Sequence, residues 1–133
     1  MEITFDGGKV ITAHTSSHSI RTDQPVVAGG ENSAPSPFEL FLASIGTCAG
    51  IYVKMFCEQR EISTEGFKII MRAEYNKETG LPNNISLDIQ LPATFPEKYK
   101  AAVINAAELC KVKKTIANPP KFDVFASINR NEK

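Results

Sequence analysis

The chain reads as an α+β fold occupying one domain, residues 1–133. β-rich runs open and close it, and two apolar stretches between them carry helix-start chemistry. A polar hairpin signal separates the two helices. With 42% hydrophobic and 23% charged residues, a chain of 133 residues has the balance of one compact unit and argues against disorder.

Ile3 and Phe5 alternate ahead of Asp6-Gly7-Gly8, a hairpin-turn signal, and Val10-Ile11-Thr12-Ala13 resume the β-rich composition. A further short strand contains Ser19-Ile20-Arg21. Between residues 29 and 37 the composition shifts to Gly, Asn, Ser, Ala and Pro, which predicts a surface loop. Ser36, Pro37 and Glu39 then form a Ser-x-x-Glu capping box with proline in the first turn, so a helix is expected over residues 37–59. Phe38, Leu40, Phe41, Leu42, Ile45, Ile51, Val53 and Phe56 make it apolar nearly all round. Such a helix is expected to be central and buried, and a domain this small needs a second copy to surround it.

Residues 67–75 and 85–91 read as two strands joined by the turn Gly80-Leu81-Pro82-Asn83-Asn84. Thr94 and Glu97 offer a second capping-box pattern, which predicts a helix from about 95 to 110. Asn118-Pro119-Pro120 breaks the chain, and residues 122–128 alternate as a last strand. The tail 129–133 is expected to fray.

Fifteen basic and fifteen acidic residues cancel, and the longest like-charged cluster is Lys111-Val112-Lys113-Lys114. That leaves no electrostatic footprint for nucleic acid or an anionic membrane. The first residues lack the basic and apolar pattern of a signal peptide, and no run is expected to reach bilayer-spanning length. A cytoplasmic location is the expectation. There, three cysteines remain thiols, and each has to be weighed as catalytic, metal-binding or inert.

Two of those cysteines differ in setting. Cys48 lies within the apolar helix, where an isolated thiol has a raised pKa and little reactivity unless another segment supplies a cation. Arg21, in the strand before the loop, is the first candidate for that cation, with Arg60 and Arg72 as alternatives. Cys110 falls at the expected end of the second helix beside Lys111, Lys113 and Lys114, a setting for an accessible thiol. Cys57 is nine residues beyond Cys48 on the same helix, half a revolution round and too far along the axis to bridge, so burial is its expected role. Glu39 is likewise on the side of the helix away from Cys48, and capping is its expected role. His14 and His18 flank a hairpin tip without further ligands at zinc-like spacing, so no metal site is expected.

The run Pro35-Ser36-Pro37-Phe38-Glu39-Leu40-Phe41-Leu42-Ala43-Ser44-Ile45-Gly46-Thr47-Cys48, with the later Glu108-Leu109-Cys110, resembles the OsmC/Ohr family of thiol-dependent hydroperoxide reductases. The resemblance implies an intertwined α+β homodimer with two central helices, flanking antiparallel sheets and active sites at the subunit interface. It implies that Cys48 is the peroxidatic cysteine, Cys110 the resolving cysteine, and Arg21 the match to the arginine that activates the thiolate. It also implies reduction of organic hydroperoxides to alcohols with no bound cofactor, at the expense of an external dithiol, lipoyl in some members. Two positions depart from the best-studied branches: Phe38 follows the motif proline where they have glutamate, and Lys111 stands where proline often follows the resolving cysteine. In these positions the chain looks closer to the OsmC-like branch.

Two other functions fit the same residues. A non-enzymatic module would use the apolar surroundings of Cys48 to hold a fatty or aromatic small molecule. A redox sensor would form the same disulfide and turn over little.

Overall fold

A computed structural model describes residues 1–130. Three strands open the chain, β1 (Glu2–Phe5), β2 (Ile11–His14) and β3 (Ser19–Thr22), paired antiparallel in the order β1-β2-β3. The turn at Asp6-Gly7-Gly8 forms where its glycines allow: Gly7 and Gly8 have φ of 95° and 55°, the left-handed region that a side chain disfavours. The loop after β3 holds a short 3-10 turn, Val26–Ala28, and feeds helix α1 (Pro37–Glu58).

Helix α1 starts by the mechanism its sequence announces. The Ser36 hydroxyl accepts from the Glu39 amide at 3.2 Å, and the Glu39 carboxylate accepts from the Ser36 amide at 2.8 Å. Pro37 occupies the first turn, where no amide hydrogen is needed. At the far end the chain turns back through Glu61 at φ 55°, and the Ile62 amide donates to the Cys57 carbonyl at 2.9 Å.

The hairpin of β4 (Lys68–Tyr75) and β5 (Pro82–Gln90) follows, but β5 starts earlier than expected: Pro82, Asn83 and Asn84, read as part of the turn, belong to the strand, with Tyr75 opposite Pro82 and Glu74 opposite Asn84. Helix α2 (Lys100–Glu108) then packs on α1. Residues Ala49, Val53, Phe56 and Cys57 recur at helical spacing and bury one face of α1 against Val103, Ala106 and Ala107. Ile69, Leu87 and Ile89 of the hairpin close the other side. Val103 is fully buried, and such a side chain contributes about 1.5–3 kcal/mol by leaving water.

Four further expectations need correction. The helix expected over residues 95–110 is divided: Thr94 makes no cap, a 3-10 turn (Glu97–Tyr99) follows Pro96, and α2 ends at Glu108. Cys110, at ψ 117°, breaks the helical path and begins a separate helix, α3 (Lys111–Ala117). Residues 122–128 form no strand, because no strand among the described residues pairs with them; Phe122, Val124, Phe125 and Ile128 are 80–95% exposed. Helix α1 has 22 residues and a mean hydropathy of 1.6 across its most apolar window, long and apolar enough to cross a membrane by those measures. Its buried positions are nonetheless those of a packed helix, and Phe38, Phe41, Ile51 and Met55 on its other faces remain exposed within one chain, so it is only partly surrounded.

Candidate active site

The thiol of Cys110, expected to be accessible, is instead 0% exposed, because the residue is docked against α1. Its Sγ donates to the Ile45 carbonyl oxygen at 3.9 Å, three residues before Cys48 on that helix. The same sulfur accepts from the Lys113 amide at 3.4 Å and so caps the first turn of α3. One residue therefore ends α2, begins α3 and fastens both to α1.

That arrangement brings the Cys48 and Cys110 thiols close enough to act on each other, and they are driven in opposite directions. Cys48 is held below the ordinary value of 9.0, most strongly by a hydrogen bond from the Val112 amide. Partial desolvation opposes this, while the Cys110 thiol, the Lys111 amide and the Lys111 charge reinforce it. Burial pushes the Cys110 thiol up, and its hydrogen bond to Cys48 adds to the rise. Cys48 is thus the sulfur more readily ionised, and Cys110 the one that more readily keeps its proton.

The other candidate residues lie apart from this pair. Arg21 is on β3, where its Nη2 donates to the Ser33 hydroxyl at 3.1 Å; within one chain it is not among the groups that act most strongly on Cys48. Glu39 spends its carboxylate on the α1 cap. Arg60 donates to the Phe56 carbonyl at 3.1 Å and lies 3.8 Å over the Phe56 ring, and Arg72 is an exposed residue of β4. Cys57 is buried in the core with its pKa raised by desolvation. His14 and His18 bond hydroxyls of Ser19 and Ser17, and among the described residues no group of three His, Cys, Asp or Glu side chains could hold a metal ion.

Sequence reasoning missed Val112, whose amide acts most strongly on Cys48, and Lys111, which adds both amide and charge. The signal was faint. Cysteine is not a usual N-cap, so nothing marked Lys111 as the first residue of a new helix. Behind the pair lies an apolar hollow of about 560 Å³, bordered by Ile45, Leu87, Ile104, Ala107 and Ile116, with Lys113 and Glu108 paired at 2.8 Å on its rim.

Fold and site together define a class: an α+β protein in which a partly exposed cysteine on the long helix contacts a buried cysteine from the segment after α2. The chain belongs to the OsmC-like protein family, whose model matches residues 30–125. Solved structures share the fold at low identity. A protein from Psychrobacter arcticus assigned to the osmotic-stress-induced and detoxification response is 22% identical, with a TM-score of 0.74 over 86% of this chain and 85% of that one. The organic hydroperoxide resistance protein OsmC of Legionella pneumophila is 19% identical, with a TM-score of 0.54 over 86% of this chain and 87% of its own. OhrB of Bacillus subtilis, an organic hydroperoxide resistance protein, is 20% identical, with a TM-score of 0.50 over 88% and 90% of the two chains. No protein of curated function matches the chain.

Proposed function

We propose that this protein is a cysteine-based peroxidase that reduces organic hydroperoxides to alcohols. The observation that carries the reading is the docking of the buried Cys110 sulfur on α1 one turn before the half-buried Cys48, where backbone amides and Lys111 favour the Cys48 thiolate. The Cys48 thiolate attacks the outer peroxide oxygen; the O–O bond breaks, the alcohol leaves with a proton, and Cys48 becomes a sulfenic acid. Cys110 then attacks that sulfur, water leaves, and a disulfide joins the two cysteines. An external dithiol, lipoyl or similar, reduces the disulfide by exchange, so no bound cofactor enters the cycle.

The reading includes a homodimer in a reducing, cytoplasmic setting. Its support is unfinished packing. Ile3 and Phe5 of β1 are 51% and 85% exposed, α1 leaves apolar faces open, and the apolar residues of 122–128 cover nothing. A second copy offers surfaces for each. Arg21, bound at Ser33 in its own chain, is the cation that the family resemblance offers for Cys48. Nucleic acid and membrane remain outside this reading because the charges cancel without a patch.

The apolar hollow favours a second reading, a binding module for an apolar small molecule, since Cys48 does not line it. One experiment separates the two. Purified protein with cumene hydroperoxide and a dithiol is expected to consume peroxide, and Cys48→Ser to abolish this. Cys110→Ser is expected to leave Cys48 prone to sulfinic acid. An undiminished rate in Cys48→Ser sinks the peroxidase; absence of a Cys48 to Cys110 disulfide together with a co-purified apolar ligand supports the module. A disulfide with negligible turnover identifies a redox sensor.

A further inference from the structure

Cys110 holds α3 through two hydrogen bonds of opposite sense. Its S–H donates to the Ile45 carbonyl oxygen of α1 at 3.9 Å, and its sulfur accepts from the Lys113 amide at 3.4 Å. The first bond fixes where the sulfur lies, and the second makes that sulfur the N-cap of α3. The remaining hold on this helix is slight. It has seven residues, none of them buried, well short of the about 12–15 that a helix needs to persist alone. The ion pair of Lys113 with Glu108 at 2.8 Å lies at the surface and adds little.

Oxidation acts on both bonds of the sulfur. When Cys48 and Cys110 are joined, the two thiols give up two protons and two electrons, and an organic hydroperoxide takes them and leaves as alcohol and water. Cys110 then has no S–H to donate, so its sulfur would face the Ile45 carbonyl with lone pairs only. The new bond to the Cys48 sulfur, one turn further along α1, draws it off that position, and the Lys113 amide loses its acceptor. The amides of Lys111 and Val112, which favour the Cys48 thiolate, lose an anionic partner at the same step. The first turn of α3 is thereby weakened at three consecutive amides.

We propose that α3 is a redox-controlled latch, closed on α1 while Cys110 is a thiol and released when Cys110 is joined to Cys48. This rests on the disulfide of the reading above. Ile116 and Ala117 of α3 form part of the wall of the apolar hollow, so release opens that wall and uncovers the buried Cys110 sulfur to the external dithiol. Reduction returns the S–H and closes the latch.

The test is hydrogen exchange of the full-length protein before and after oxidation by diamide, which takes up the two protons and two electrons as its hydrazine and needs no peroxide. Mass spectrometry of the joined Cys48 and Cys110 peptides verifies the bond. Exchange at residues 111–117 is expected to accelerate about three- to thirtyfold, the scale of a lost helix cap, while residues 49–57 of α1 keep their reduced rates. Dithiothreitol is expected to restore the slow rates. Diamide-treated Cys110→Ser, which keeps a cap but cannot form the bond, is expected to exchange as it does untreated. Unchanged or slower exchange at 111–117 with the disulfide in place overturns the proposal, as do acceleration spread evenly over the chain, acceleration that outlasts reduction, the same acceleration in Cys110→Ser, or failure of the disulfide to form. Cumene hydroperoxide turnover measured in parallel separates the two readings: lost turnover beside a released α3 fails the peroxidase and leaves the latch, and turnover with α3 unmoved does the reverse.

Discussion

The sulfur of Cys110 sits 3.9 Å from the carbonyl oxygen of Ile45, a residue 65 positions earlier in the chain and one helical turn before Cys48. This contact turns two distant cysteines into neighbours, and it gives them unequal chemistry. Cys110 is enclosed by α1, α2 and α3, whereas Cys48 faces amides and a lysine charge.

The three thiols are therefore expected to separate by pH. Cys48 alkylates first, with a midpoint below the ordinary 9.0, because its thiolate is favoured. Cys57 and Cys110, both buried and raised by desolvation, react only as the protein opens. Mass spectrometry of each cysteine peptide across a pH series measures the order; equal midpoints for Cys48 and Cys57 would refute it.

Cys110→Ala and Cys110→Ser are expected to differ in α3. The sulfur accepts from the Lys113 amide, a role the serine oxygen can take over and alanine cannot. Losing the cap costs about 1 kcal/mol. Hydrogen exchange is expected to accelerate at residues 111–117 in the alanine variant and to stay near wild type in the serine variant.

Asp23 makes stability depend on acid. Its folded pKa of about 2 lies below the ordinary 3.8, so the unfolded chain binds the proton more tightly. The contribution is fully present above 3.8 and is lost as pH falls through about 2. Thermal melts are expected to show Asp23→Asn well below wild type at pH 7, and the gap closing as pH approaches 2.

Gly30→Ala is expected to destabilise the same loop. A methyl group there would run into the Gln24 carbonyl and the Asp23 carboxylate, which are themselves tied by hydrogen bonds and cannot give way. Overpacking of this kind costs about 1–3 kcal/mol, measured as a lower denaturant midpoint. Gly46→Ala, where a methyl group would meet nothing within 4 Å in the single chain, serves as the contrast within α1.

Local rules made the fold legible where they act alone. The Ser36 box formed as read, and the alternation of residues 67–75 and 85–91 gave the hairpin, although β5 extends back to Pro82 through residues whose turn composition hid the pairing. Cys110 was legible as a residue of interest but not as a cap, because its place depends on α1, which it meets only after folding. The alternation at residues 122–128 satisfies β patterning yet finds no strand to pair with inside the chain. Arg21 was singled out by its order in the chain, while its hydrogen-bond partner Ser33, itself bonded to Asp23, lies in a loop whose composition says only that it turns.

The uncovered side chains of residues 122–128 have a thermodynamic corollary. If association is what removes Phe122, Val124 and Phe125 from water, the folded state is linked to encounter between chains, and its persistence scales with how many chains are present. Dilution would then act as a denaturant: the melting temperature should climb with protein concentration, and a value indifferent to concentration would mean that each chain is stable by itself.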